Sequence, residues 1–258
     1  MQPPDRTEGI ERAPAGQQAL AAWQPAAVVW DLDGTLIESA PDLAAALNTL
    51  LNEHDQHGHA IDRVRPMIGG GVARLIERGF RAAGAPLAPQ DCEALVPRFM
   101  QLYTSRATDR THLVPQARDV LAQFYHAGLR QGICTNKPLS VTRLILDTLD
   151  IAGYFQSVVG GDSTVHKKPH PLPLQTCLRE LGVGPGEALM VGDSGADVGA
   201  ARAAGVAVAL VPDGYTGVPA ESLGADLVLE DLSRLPGCLG GGYPSKLKSR
   251  PLPAMRSA

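Results

Sequence analysis

Asp31 and Asp33 stand two residues apart at the end of an apolar run, Ala26-Ala27-Val28-Val29-Trp30, and Gly34 and Thr35 follow at once. Alternate side chains of a β-strand share a face, so the two carboxylates are expected to point together from a strand's carboxyl end, where open α/β sheets bind ligands. Like charges held that close call for a divalent cation, a raised carboxyl pKa, or both. Three more polar groups each follow a predicted strand: Thr135/Asn136, Lys168 beyond Val158-Val159, and Asp193/Ser194/Asp197. Together they supply acids that can hold Mg²⁺, a fixed cation and a hydroxyl. Such a set suits phosphoryl transfer, in which the enzyme mostly positions groups and neutralises charge. Asp31 is the expected nucleophile, able to form an aspartyl phosphate once Mg²⁺ and Lys168 relieve its repulsion from the phosphate dianion. Asp33 is placed to protonate the leaving alkoxide and then to deprotonate the attacking water.

For these groups to meet, strands and helices must alternate. After Pro115 they do: a helix at Ala117 to His126, a strand at Gly132 to Cys134, a helix at Val141 to Leu149, then strands near Val158, at Ala188 to Val191 and at Val206 to Val211, with helices at Leu172 to Leu181 and Ala196 to Ala204 between them. That alternation predicts an α/β fold with a doubly wound, Rossmann-like parallel sheet. Between the first strand and Pro115 the pattern is helical, broken mainly at Gly69-Gly70-Gly71, with Ser39 an expected cap and Pro41 in the first turn of the first helix. The expected organisation is a flexible N-terminal extension at 1–25, a core at 26–37 and 114–235, a helical cap inserted after the first strand at 38–113, and a flexible tail at 236–258.

The chain has 258 residues, enough for one large domain or a core with an insertion at roughly 150 residues per domain. Its formal net charge of -4 argues against a nucleic-acid binder, and no apolar run approaches the roughly 20 residues of a membrane span. The acidic first residues do not resemble a secretory signal, so a cytoplasmic location is expected. Cys92, Cys134, Cys177 and Cys238 show no paired spacing and are expected to be free thiols.

In these motifs the sequence resembles the haloacid dehalogenase-like hydrolases over about residues 26 to 235. Asp31-Leu32-Asp33-Gly34-Thr35, Thr135, Lys168 before Pro169, and Gly192-Asp193-Ser194-Gly195-Ala196-Asp197 look like the family's four motifs, in order. The resemblance implies Mg²⁺ held by Asp31, the Asp33 carbonyl and Asp193, phosphate held by Thr135 and Lys168, and support from Asp197. An acid at Asp33 is similar to the family's phosphatases and mutases. Thr135-Asn136-Lys137-Pro138, Gly160-Gly161-Asp162, Lys168-Pro169-His170-Pro171 and Asp213-Gly214-Tyr215-Thr216-Gly217 look like its phosphoglycolate phosphatase branch. Departures lie at Glu38, at Gly70 and in Val165-His166-Lys167. The implied activity is hydrolysis of 2-phosphoglycolate, with a sugar-phosphate phosphatase, such as one acting on N-acetylmuramic acid 6-phosphate, as the alternative. A mutase or a non-catalytic interaction module comes after these. The expected partner is a small phosphorylated metabolite, and the protein itself a monomer or homodimer.

Each motif also has a plainer reading. Asp-x-Asp alone is a turn or a helix cap, Thr135 a strand-end hydroxyl, and Lys167 a solvated rival of Lys168. Asn136, Gly69, Gly70 and Gly71 are expected to meet substrate, the glycines by leaving backbone N–H groups free for an anion. Arg74 and Arg78 read as a solvated helix face, and His54, His57 and His59 as a polar stretch without a metal. Lys137 either steadies the site or lies outside it.

Overall fold

In the computed structural model, residues 17–241 and 243 are described. Their elements run α1 (Gln17–Ala21), β1 (Ala27–Trp30), β2 (Ile37–Glu38), α2 (Ala40–Glu53), α3 (Ile61–Val64), α4 (Val72–Ala82), α5 (Pro89–Thr104), β3 (His112–Leu113), α6 (Ala117–His126), β4 (Arg130–Cys134), α7 (Leu139–Thr148), β5 (Ser157–Val159), α8 (Leu172–Leu181), β6 (Ala188–Gly192), α9 (Gly195–Ala204), β7 (Ala207–Leu210) and β8 (Leu227–Val228). The central strand, Ala27-Val28-Val29-Trp30, is buried at every position, as a parallel strand covered on both faces requires. It pairs with β4 on one side, Trp30 opposite Ile133, and with β6 on the other, Trp30 opposite Val191. The sheet order is β5-β4-β1-β6-β7-β8, all parallel, so the doubly wound α/β sheet expected from the alternation is present.

The strand's period of two sorts the core. Val28 and Trp30 pack with Val120, Phe124 and Ile145 of α6 and α7, while Ala27 and Val29 pack with Leu174, Cys177 and Ala201 of α8 and α9. Trp30 keeps its indole N–H satisfied at Gln131 Oε1, 3.1 Å away, inside the first cluster. That cluster continues into Leu47, Ile76 and Phe99, so helices α2, α4 and α5 share an apolar core with one face of the sheet. These helices lie between β2 and β3, which pair antiparallel with Ile37 opposite Leu113. The chain thus leaves for the helical block and returns from it along one short ribbon. No helix among the described residues is long and apolar enough to cross a membrane. All four cysteines are free, and three of them are buried.

Two expectations need correction. Ser39 does not cap α2: the helix begins at Ala40, and the Ser39 hydroxyl donates to Asp33 Oδ1 at 2.5 Å. The extensions expected to be flexible are ordered as far as they are described. Leu20 of α1 is fully buried, Gly240 N donates to Trp23 O at 2.9 Å, and Tyr243 packs edge-on to Phe124 with ring centroids 5.0 Å apart. Leu20, Leu235 and Leu239 bury themselves in the first cluster, which outweighs the loss of chain freedom. The rest of both expected extensions, at 1–16, 242 and 244–258, lies outside the described residues. Leu20→Ala is accordingly expected to lower stability against urea by about 2–4 kcal/mol. A change below about 0.5 kcal/mol, normal for a surface position, would show that α1 does not dock.

Candidate active site

Parallel pairing carries one residue beyond β1, because Asp31 N donates to Val191 O at 2.8 Å, and then the chain turns. Gly34 makes the turn possible: its φ is +83°, and a Cβ there would stand 2.4 Å from Asp193 Oδ2. The turn has a chemical consequence. Asp31 and Asp33 both line one cavity, as their spacing predicts, but beyond the strand's end at Trp30 they take different partners, Lys168 and Lys137.

Asp31 turns toward the ends of β5 and β6. Its carboxylate meets those of Asp193 and Asp197, one oxygen from each lying within 4.8 Å of the others, and all three residues are buried. Lys168 Nζ stands 2.6 Å from Asp197 Oδ1 and 2.9 Å from Asp31 Oδ1. The second contact is close without the alignment of a hydrogen bond, so Asp31 Oδ1 has no hydrogen-bond partner among the described residues. Asp197 is saturated. Its Oδ2 accepts from Asp193 N, Ser194 N and Ser194 Oγ at 3.2, 3.1 and 2.7 Å, the second within a capping box that opens α9. Asp193 Oδ2 accepts from Tyr215 N at 2.6 Å.

Three acids face one lysine here, all four of them buried. Burial pushes the Asp31 carboxyl up to about 6, with Lys168 opposing and Asp197 adding to the rise. Burial, then Asp197 and Asp31, raise Asp193 well above the carboxylate range. Burial alone would lower the Lys168 ammonium, but Asp197 and Asp31 outweigh it and hold the group charged. Two uncompensated negative charges, oxygen donors and an unpartnered Asp31 oxygen fit a hard divalent cation. Asp31 and Asp193 have room to ligate one. Asp197, with both oxygens engaged, serves Lys168 instead.

Asp33 is not in this cluster. Its carboxylate accepts from Lys137 Nζ at 2.8 and 3.1 Å and from Ser39 Oγ, on the side of the cavity facing the helical block. Lys137 is buried, its ammonium 4.8 Å from the centre of the Tyr103 ring. Thr135, buried at the end of β4, lines the same cavity as Asp31 and Asp33, and its Oγ1 accepts from Lys137 N at 3.2 Å. Asn136 lines the same cavity, with its amide engaged by the protein. Its Nδ2 donates to Gly69 O at 2.9 Å and to Lys168 O at 3.0 Å, and its Oδ1 accepts from Lys168 N at 2.9 Å. The amide therefore fixes Lys168 and ties the glycine loop to the sheet.

Gly69 and Gly71 line the cavity, whereas Gly70 faces Arg74 and a separate cleft. Gly71, at φ +87°, precedes α4 in a conformation that side chains rarely adopt. Among the described residues the three glycine N–H groups meet no acceptor. Arg74 pairs with Glu77, Arg78 Nη1 donates to Met67 O, and His59 Nε2 contacts Gly79 O, so none of them joins the acids.

Tyr103 stands out only in three dimensions, and there too Tyr215 of the Asp-Gly-Tyr-Thr-Gly run gains its contacts. The Tyr215 hydroxyl accepts from Ser39 N and Ala40 N at 2.7 and 3.0 Å and donates to Glu38 Oε1 at 2.8 Å, and Glu38 in turn pairs with Arg65. Tyr103 sits among Phe99, Met100 and Leu102 on a helix whose spacing reads as ordinary packing. Lys137 did carry a signal, its place in Thr-Asn-Lys-Pro one turn from Thr135.

The raised carboxyls set a pH dependence. Folded Asp31 and Asp193 hold protons more tightly than the unfolded chain, so their contribution to the stability of the metal-free protein falls as pH climbs from about 3.8 through about 6. A cation needs the deprotonated oxygens. The rise in Tm on adding Mg²⁺ in place of EDTA is therefore expected to grow between pH 5 and pH 7.5, and an equal rise at both would place the cation elsewhere.

The family model described as haloacid dehalogenase-like hydrolase matches residues 28–211. A phosphoglycolate phosphatase of Caulobacter vibrioides is 39% identical over 211 residues, covering 82% of this chain and 89% of the relative. One from Rhodospirillum rubrum is 39% identical over 235 residues, covering 90% and 98%. Among solved structures, one described as a predicted phosphoglycolate phosphatase from Haemophilus somnus superposes with a TM-score of 0.76 at 29% identity, over 82% of this chain and 96% of that one. With its four motifs gathered at one edge of such a sheet, the chain belongs to the haloacid dehalogenase-like hydrolases.

Proposed function

We propose that the protein is a Mg²⁺-dependent phosphomonoesterase that hydrolyses 2-phosphoglycolate to glycolate and phosphate. The observation that carries the reading is the pair of unlike aspartates in one cavity, Asp31 beside Lys168 and Asp33 beside Lys137. The names of the relatives, phosphoglycolate phosphatases 39% identical over most of the chain, support the substrate.

The phosphoryl group sits against Asp31, its oxygens held by the Thr135 hydroxyl and the Lys168 ammonium. Asp31 attacks phosphorus, the P–O ester bond breaks, and the departing glycolate oxygen takes a proton from Asp33. Water then gives a proton back to Asp33 and attacks the aspartyl phosphate, freeing Asp31 and inorganic phosphate. Mg²⁺ bound at Asp31 and Asp193 supplies the positive charge that lets a carboxylate approach a phosphate dianion. Asp197 and Asn136 hold Lys168 from its two ends, the first at the ammonium and the second at the backbone. The helical block covers the cavity, which keeps bulk water from the intermediate.

Asp31→Asn is expected to remove Mg²⁺-dependent phosphate release from 2-phosphoglycolate by at least about 10³-fold. Asp33→Asn is expected to slow turnover by about 10²- to 10⁴-fold, the span of general acid–base catalysis. Full activity in either variant contradicts its assigned role. A panel of phosphomonoesters ranked by kcat/KM tests the substrate, and N-acetylmuramic acid 6-phosphate ahead of 2-phosphoglycolate would overturn it.

A further inference from the structure

Once Lys168 and Thr135 are given to the phosphoryl group, few groups remain in the cavity that could recognise the rest of a substrate. Leu43, Ile68, Val72 and Leu75 line the side facing the helical block and offer no donor. Asn136 has spent both its N–H donors on backbone carbonyls. Arg74, the nearest exposed cation of the block, opens on a different cleft and is paired with Glu77.

Of the lining side chains, Tyr103 and Lys137 are left. Tyr103 is 1% exposed and lines the cavity, yet its hydroxyl has no hydrogen-bond partner among the described residues. Buried hydroxyls are rarely left so, because an unmade hydrogen bond forfeits the group's hydration without return. Burial raises the phenol to about 12, so it stays a neutral O–H donor at any physiological pH. Lys137 adds the charge. Its ammonium lies over the Tyr103 ring and donates to the two oxygens of Asp33. A second carboxylate brought in beside Asp33 would be repelled without that cation.

We propose that Tyr103 and Lys137 form a carboxylate-recognising subsite for the leaving group: the Tyr103 hydroxyl donates to the substrate's carboxylate, and the Lys137 ammonium supplies the opposing charge. The assignment rests on the phosphoglycolate reading and says how it is achieved. Lys137 holds Asp33 and stands against Tyr103, whereas Asp31 faces Lys168. The subsite selects against esters that lack the anion, since an apolar end would leave the Tyr103 hydroxyl unpaired.

The test is Tyr103→Phe in the full chain, which keeps the ring, its packing and its face toward Lys137 and removes only the hydroxyl. Steady-state kinetics are measured on 2-phosphoglycolate and on ethyl phosphate, which has a methyl group where the carboxylate would be. A hydrogen bond to a charged group implies a loss in kcat/KM of roughly 10- to 100-fold for 2-phosphoglycolate, carried mainly by KM, and little change for ethyl phosphate. Ligand-free Tm should not fall, because the deleted group has no partner to lose. Equal losses on both substrates, or a marked drop in Tm, would make the hydroxyl structural and overturn the subsite. If wild type prefers 2-phosphoglycolate and Tyr103→Phe keeps that preference in full, the subsite fails and the activity stands. If wild type turns over ethyl phosphate equally well, the phosphoglycolate reading fails and takes the subsite with it.

Discussion

The Lys168 ammonium lies 2.6 Å from Asp197 and 2.9 Å from Asp31, with Asp193 beside them, and all four residues are buried. One positive charge cannot balance three carboxylates there, and much of the surrounding structure is fitted to that imbalance. Several donors are aimed at the acids: the backbone of Asp193, Ser194 and Tyr215, and the Ser194 hydroxyl. Stored negative charge is costly in a low dielectric, and it is also what binds a cation and, through it, a phosphate. The site is poised because it is unsatisfied.

A few ångströms away the second aspartate is treated in the opposite manner. Asp33 has an ammonium and a hydroxyl to itself and some contact with the cavity. Two carboxylates two residues apart in the chain therefore occupy electrostatically different places, and the turn at Gly34 makes that separation possible. Environments that differ in this way allow one aspartate to bond phosphorus while its neighbour handles protons.

The alternation of strands and helices was legible because parallel strands are apolar on both faces and stand out against amphipathic helices; Val28 to Trp30 and Ala188 to Val191 are examples. The convergence of Asp31, Thr135, Lys168 and Asp193 was legible too, since the ends of parallel strands share an edge. Local geometry was less so. That Asp33 and Asp31 take different lysines depends on where β1 stops, and that Ser39 serves Asp33 rather than α2 depends on a neighbour six residues back folding over it. Asn136 reads as a ligand-facing polar residue until Gly69, 67 positions away, is seen to take one of its protons. Tyr103 carries no local signal, because an aromatic at helical spacing is ordinarily packing. Leu20 was hidden in a stretch whose composition resembles a disordered tail.

Tyr215 touches both ends of this machinery. Its backbone N–H holds Asp193, and its phenol oxygen takes the first N–H groups of α2 at Ser39 and Ala40. One residue therefore answers to two places at once, so a substitution at Tyr215 disturbs both the acid cluster and the point where the chain departs for the helical block.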